Sequence, residues 1–361
     1  MVSVIVPARN EEACLGTCLK SLVAQTGVSF EIIVVDDDST DCTREIAQSF
    51  PGVRVINAAP LRLGWSGKNN ALVAGAAEAR GEWLLFTDAD TTHHLGSLAR
   101  AVAEVQMQKA SLLSYSPEQE VHGFWEKTVM PVIFAELAST YRPSEVSDPR
   151  YSAAAANGQY ILVSREAYDA VGGHAAIAAS LLEDVALARA VKSSGRKIFF
   201  RYGGDAVRTR MYRIFAQLKE GWTKNLVLLF RSPLRLAVLR LTEVVLLVGG
   251  GATAIAAGLH GQKSSAAAAA ILTVVLYIVF LRRIRKAHFS WDANLLALAG
   301  LPLFSYLLLQ SKMAHVKGTF SWKGRRYAKN GSPGLPNEVR AGRPHESRPE
   351  ASATSSQATS T

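Results

Sequence analysis

Apolar residues along this chain follow two regimes. In the first, short runs of β-branched and aliphatic residues at 2–6, 32–35, 53–56 and 83–86 are each bounded by polar or turn residues. Continuous runs of this length predict strands buried on both faces. Between them Leu15, Cys18, Leu19 and Leu22 recur at helical spacing, 42–50 predicts a second helix, and the loop 63–70 opens an alanine-rich third. Asn10 is expected to cap the first helix. Strands alternating with helices predict an α/β fold: a Rossmann-like, mainly parallel sheet with helices on both faces.

The second regime begins near Leu226. The stretches 241–259, 264–281 and 293–309 are each long enough, or nearly so, to cross a hydrocarbon core of about 30 Å at about 1.5 Å per residue. The stretch 226–240 mixes apolar residues with Arg231, Arg235 and Arg240, includes Pro233, and reads as an interfacial amphipathic helix. The expected organisation is a catalytic domain at 1–225, that helix at 226–240, transmembrane or re-entrant helices within 241–311, and a tail at 312–361. The tail is basic first; from residue 330 it lacks apolar periodicity and reads as disordered.

Charge changes this picture in one respect. The 361 residues carry a formal net charge of +10, and many cations flank the apolar runs. Arg282, Arg283, Arg285 and Lys286 crowd the gap between the second and third. Cations so placed point to anionic lipid and cytoplasmic loops. No nucleic-acid recognition motif accompanies them, so no nucleic-acid partner is expected. Met1 leads straight into the first strand without a leader pattern, which predicts a cytoplasmic catalytic domain on a multi-pass protein of the cell (inner) membrane. Three crossings would then put Lys312, Lys317, Lys323, Arg325, Arg326 and Lys329 outside, against the positive-inside rule. A cytoplasmic tail requires one run to be re-entrant or interfacial, and Pro302 makes the third run the candidate. Cys14, Cys18 and Cys42 have neither disulfide-framework nor zinc spacing; the first two read as small core residues.

Candidate chemistry gathers where two strands end. The second predicted strand runs into Asp36, Asp37 and Asp38, and the fourth into Asp88 and Asp90. Ligands bind at the carboxyl edge of open α/β sheets. Paired aspartates there repel unless a cation joins them, and hard oxygen donors suit Mg2+ or Mn2+ completed by substrate phosphates. Lys68, opening a helix, adds a cation for phosphate. The chain has neither the P-loop nor the dinucleotide-binding glycine pattern. Glu183 and Asp184 open an otherwise apolar helix, where the helix dipole favours acids and where a catalytic base is also available. His93 and His94 read as solvated loop, His174 and the pair Asn157-Gly158 as turns, and Trp65 as either a stacking platform or packing. The apolar stretch 121–141 is either core or a lip for a lipid acceptor.

The runs VSVIVPARNEE, VVDDDSTDCT, GWSGKNNAL and GEWLLFTDAD, followed by NGQYILVSREAYDAVGGH and LLEDVALARAVKSSGRKI, resemble the family 2 glycosyltransferases of GT-A fold. The later RMY, GWTKN and WKGRRY resemble the branch containing hopanoid- and carotenoid-pathway enzymes. The resemblance implies an inverting, metal-dependent transfer of a sugar from a nucleotide diphosphate-sugar, a UDP-sugar by expectation, to a lipid or isoprenoid-type acceptor at the membrane. It implies nucleotide-sugar contacts from Pro7, Arg9, Glu11, Asp36, Asp37, Lys68 and Asp88, and a divalent metal on Asp88 and Asp90. Asp38 stands where the family often has glycine, leaving open which aspartate meets the nucleoside. Asp184 matches the catalytic base; Glu183 beside it and Trp222 are the expected acceptor-side residues. Two other readings share the sheet and its aspartates: a nucleotidyltransferase making sugar nucleotides, and a non-catalytic membrane scaffold.

Overall fold

A computed structural model describes residues 1–318 and the two short strands Phe320–Trp322 and Arg325–Tyr327. The expectation for 330–361 lies outside the described residues. All four predicted strands form: β1 (Val2–Ala8), β2 (Phe30–Asp36), β3 (Val53–Asn57) and β4 (Trp83–Phe86). They are followed by β5 (Thr91–His93), β6 (Leu112–Ser116), β7 (Glu118–Gln119), β8 (Ile161–Ser164), β9 (Ile198–Tyr202) and β10 (Val207–Thr209). The main sheet has the order β3-β2-β1-β4-β8-β6-β9. Its first four strands are mutually parallel, and β8 alone runs against its neighbours. A smaller sheet, β5-β10-β7, flanks the carboxyl end of β4.

Alternation along β1 and β2 divides the core. Val4, Val6, Ile32 and Val34 pack with Leu15, Cys18, Leu19 and Leu22 on one face. Ile5, Ile33 and Val35 pack with Leu72, Ala76 and Leu187 on the other. Because the period is two, both faces must be apolar, hence the unbroken runs in the sequence. The strand order reverses between β1 and β4, so the crevice at that switch point lies at the ends of the strands that carry Pro7 and Asp88.

Local readings differ in four places. Asn10 does not cap the first helix, which begins at Leu15; with φ +52° its side-chain oxygen instead accepts from the Thr40 amide at 2.9 Å. His93 is buried rather than solvated, its Nε2 within 3.1 Å of the Thr87 hydroxyl and 3.2 Å of the Thr91 hydroxyl. Period-two alternation in β5 turns it inward, a pattern three residues are too short to reveal. Cys18 is core, but Cys14 is half-buried and borders the cavity described below. Finally, 226–240 is not one helix. Phe215–Leu229 ends before Ser232, and a new helix starts at Pro233, where the missing amide costs nothing.

That helix, Pro233–Leu259, and the next two, Lys263–Ile284 and Trp291–Lys317, are long and apolar enough to cross a membrane. They are not alike. Only 6% of the apolar window is buried in each of the first two, against 50% in the third. The third packs against helix Phe124–Thr140 closely enough that a Cβ at Gly300 would run into the Thr128 carbonyl. Lys127 reaches Asp292 at 2.7 Å, and Ser311 Oγ donates to the Thr223 carbonyl at 2.7 Å. Phe124–Thr140 thus serves as core, with Val129, Ile133, Leu301 and Phe304 in one cluster. The roots of the other two are tied to the same helix. Arg240 lies 3.0 Å from Glu136 and 2.8 Å from Glu243, and Arg283 2.8 Å from Glu243. Two cations and two anions so enclosed are mutually neutralised, which burial of charge requires.

Candidate active site

At the switch point β1 ends in Pro7 and β2 in Asp36. Arg9 joins the two ends, its guanidinium donating to the Asp37 carbonyl at 2.5 Å and the Asp38 carbonyl at 3.0 Å. Asp38 has φ +60°, the left-handed conformation that glycine adopts most readily. Of the three aspartates, Asp37 borders the cavity. Asp36 turns away from it: its carboxylate accepts from the Ser39 amide at 3.3 Å and faces Arg44 at 3.7 Å. Asp36 is thus engaged locally and does not border the cavity, whereas Asp37 does.

Lys68 is set by its helix start. Ser66 caps helix Gly67–Glu78 by accepting from the Asn69 amide. The Asn69 side-chain amide donates to the carbonyls of Ile177, Ala178 and Ser180 at 2.9–3.0 Å. That tie fixes the helix carrying Lys68 against the segment leading into helix Glu183–Ser193. The result is an ion triplet: Lys68 Nζ lies 2.6 Å from Asp88 Oδ1 and 2.7 Å from Glu183 Oε1. Burial alone would lower the Lys68 pKa, but the two carboxylates hold it well above its usual value. Glu183 is correspondingly lowered against its own burial, chiefly by Lys68. Both groups stay charged, so Glu183 does more than complement the helix dipole.

Asp184, the next residue, is in a different situation. Its carboxylate accepts from the Gly158 amide at 3.1 Å and from the Val185 amide at 2.7 Å. Burial, and then the charge of Glu183, raise its pKa to about 6. Two adjacent acids thereby differ in their electrostatics: one is held charged in an ion pair, and the other is raised toward neutrality. The Asn157-Gly158 turn is more than a plain turn, because Asn157 is bonded to Ser114 of β6 and presents Gly158 to the acid. A Cβ at Gly158 would lie 3.0 Å from Lys68 Nζ and 3.2 Å from Glu183 Oε1.

One cavity of about 940 Å³ joins these groups. Pro7, Arg9, Glu11, Asp37, Lys68, Asp88, Asp90, Glu183, Asp184 and Trp222 all border it. Trp222 does so with little of its surface: it is 2% exposed, and its indole NH donates to Met130 Sδ at 3.4 Å. It shapes the wall rather than offering a free ring. Trp65 does not border the cavity; Arg62 covers its face at 5.0 Å. His174 is buried, bonded to the Tyr168 hydroxyl at 3.0 Å. The sequence reading missed a largely apolar part of the cavity lining, to which Phe134, Leu137, Tyr141 and Leu229 contribute along with Tyr202 and His288. Only the apolar run 121–141 signalled any of it.

The profile of "Glycosyl transferase family 2" matches residues 3–172. The chain is 31% identical over 346 residues to the 4,4'-diaponeurosporenoate glycosyltransferase of Staphylococcus aureus (strain USA300), covering 91% of this chain and 88% of that one. The chain belongs to glycosyltransferase family 2. Its relatives place it in the branch that includes carotenoid-pathway enzymes, as the motifs predicted. The fold of this glycosyltransferase is that of a solved mannosyltransferase from Pyrobaculum calidifontis, in complex with GDP-Man and Mn2+. The two superpose with a TM-score of 0.50 at 18% identity, covering 87% of this chain and 86% of that one. The GT-A expectation is thereby met.

Among the described residues no group of three or more His, Cys, Asp or Glu side chains is arranged to hold a metal. The donors present still suit a hard divalent cation of the kind the family implies. Asp88 and Asp90 bring two carboxylates to the cavity wall with buried Ala89 between them. Two carboxylates plus phosphate oxygens are the usual shell for Mg2+.

Proposed function

We propose that this glycosyltransferase moves a sugar from a nucleotide diphosphate-sugar, a UDP-sugar by our reading, to the carboxyl or hydroxyl end of a carotenoid-type acceptor, with inversion. The observation that carries the proposal is one cavity that brings Asp184 together with Asp88 and Asp90, next to the Lys68 ammonium that bridges Asp88 and Glu183. In this reading Pro7, Arg9, Glu11 and Asp37 hold the nucleoside at one end. Lys68 and the Asp88–Asp90 turn hold the diphosphate. A divalent metal on Asp88 and Asp90 would supply positive charge to the leaving diphosphate.

Asp184 takes the acceptor's proton. The acceptor oxygen bonds to the anomeric carbon as the bond from that carbon to the diphosphate breaks, and the nucleoside diphosphate leaves with the bonding pair. A base is useful for either acceptor class. A hydroxyl must lose its proton, and a carboxyl drawn into a buried slot has a raised pKa of its own. Support for the carotenoid class comes from the relative, whose name specifies 4,4'-diaponeurosporenoate.

The same reading places the enzyme at a membrane. Helices Pro233–Leu259 and Lys263–Ile284 cross as a hairpin; helix Trp291–Lys317, half-buried against the catalytic domain, lies along the inner face instead. Two crossings leave the catalytic domain and the basic tail together in the cytoplasm, in keeping with the positive-inside rule. The test of function is product analysis with the purified full-length protein, a panel of UDP-sugars and 4,4'-diaponeurosporenoate. A glycosyl ester and free nucleoside diphosphate are expected; nucleoside triphosphate and sugar 1-phosphate formed from the UDP-sugar on addition of pyrophosphate, with no glycosyl ester, would point instead to nucleotidyl transfer.

A further inference from the structure

We infer that the linker between the second and third apolar helices is the outer wall of a tail slot, in which the long apolar chain of the acceptor lies between His288 and helix Phe124–Thr140.

The linker leaves helix Lys263–Ile284 through a tight turn, Arg285–Ala287, and is bent by His288 at φ +60°. It is pinned at two points. The His288 ring stacks on Tyr202 with centroids 4.0 Å apart and planes 11° apart. Phe289 meets Phe134 edge-on at 5.9 Å. Tyr202 ends β9 of the catalytic sheet, and Phe134 lies on the helix that carries the membrane hairpin's ion cluster. A loop that merely connected two helices would need neither contact. Aromatic pairs of this geometry add order beyond simple burial.

The linker closes the same cavity that holds Asp184. Lys286, Ala287 and His288 border it. Facing them are Phe134, Leu137, Tyr141 and Leu229, an apolar lining with no use for a sugar or a nucleotide. Tyr141 is fixed there by its hydroxyl donating to the Leu229 carbonyl at 3.0 Å. The slot also lies close to where the two least buried apolar helices are rooted, at Glu136, Arg240 and Arg283. A ligand reaching Asp184 from that side comes with an apolar tail, directly from the bilayer. The occupant is an extended hydrocarbon chain whose polar end meets Asp184. This rests on the proposed function and adds to it the path of the tail and the residues that select its length.

The experiment uses full-length enzyme in lipid nanodiscs with a UDP-sugar, 4,4'-diaponeurosporenoate and a short polyene acid that cannot reach the linker. His288→Ala is expected to raise KM for the long acceptor about five- to tenfold, with KM for the short acid and nucleotide affinity unchanged. His288→Phe, which keeps a stacking ring, should restore the long-acceptor KM. A long polyene acid with a photoreactive group at its distal end should label residues 286–289 or helix Phe124–Thr140 in the unmodified enzyme, a readout that needs no variant to fold. An unchanged long-acceptor KM in His288→Ala, or labelling confined to other segments, would overturn the inference. Absence of sugar transfer by the unmodified enzyme would instead sink the functional proposal itself.

Discussion

Lys68 and Glu183, 115 positions apart in the sequence numbering, meet at 2.7 Å, and the same ammonium holds Asp88 at 2.6 Å. The start of helix Gly67–Glu78, the end of β4 and the acid pair that opens helix Glu183–Ser193 are therefore joined through one cation. Lys68→Met would leave two carboxylates facing each other and remove a phosphate partner. We expect donor affinity to fall at least about tenfold, equivalent to about 1.4 kcal/mol, as read by titration calorimetry with UDP. Unchanged affinity would show that Lys68 serves only to hold Glu183. Gly158→Ala should weaken the same grip, since its Cβ would press on both Lys68 and Glu183.

Asp184→Asn should lower turnover by about 10² or more, the scale of lost acid–base catalysis, with donor affinity unchanged. Stability supplies an independent sign. The fold raises the Asp184 pKa from its unfolded value to about 6, so its contribution to stability is fully present below the unfolded pKa and lost as pH rises through about 6. At neutral pH the ionised carboxylate weighs against the fold, and asparagine removes that burden. The variant's Tm should therefore exceed the wild type's at about pH 7.5, with the gap closing toward about pH 4. A lower Tm at both would mean that Asp184 is structural.

The same shift fixes the shape of the activity profile. A base must be deprotonated to act, so kcat/KM for the acceptor should fall as pH drops through about 6. Donor binding over the same range should not follow it. An acidic limb near the ordinary aspartate range would contradict the role given to burial and to Glu183.

Topology is checked by cysteine labelling in intact cells. Gln262→Cys, in the turn between the two exposed helices, should react with an impermeant reagent from outside. Ser290→Cys and Ser321→Cys should not, because in our account the third helix does not cross. Outside labelling at Ser321 would restore three crossings.

Much of the fold was legible because its signals are local. Unbroken apolar runs gave four parallel strands, and the acids at their ends gave the cavity's edge. What stayed hidden depends on pairings between distant segments. Nothing near Asp36 reveals that Arg44 and Ser39 occupy it while Asp37 faces the cavity. Nothing near Glu183 reveals Lys68, because the tie runs through Asn69 to the carbonyls of 177–180. The third apolar run has the composition of a span; Pro302 marked it in the sequence, but its packing on Thr128 through Gly300 and its tie to Lys127 depend on distant segments. His288 sits in a basic linker where charge drew attention and its stacking on Tyr202 had no sequence signal.

The most direct test of the central claim is a single reaction. Purified enzyme is given a UDP-sugar labelled at the anomeric carbon, 4,4'-diaponeurosporenoate and Mg2+ or Mn2+, and the products are followed by NMR. The account predicts a glycosyl ester of inverted anomeric configuration with one nucleoside diphosphate released per turnover, abolished by chelator and by Asp90→Asn. Retention of configuration, or full turnover in chelator, would contradict it.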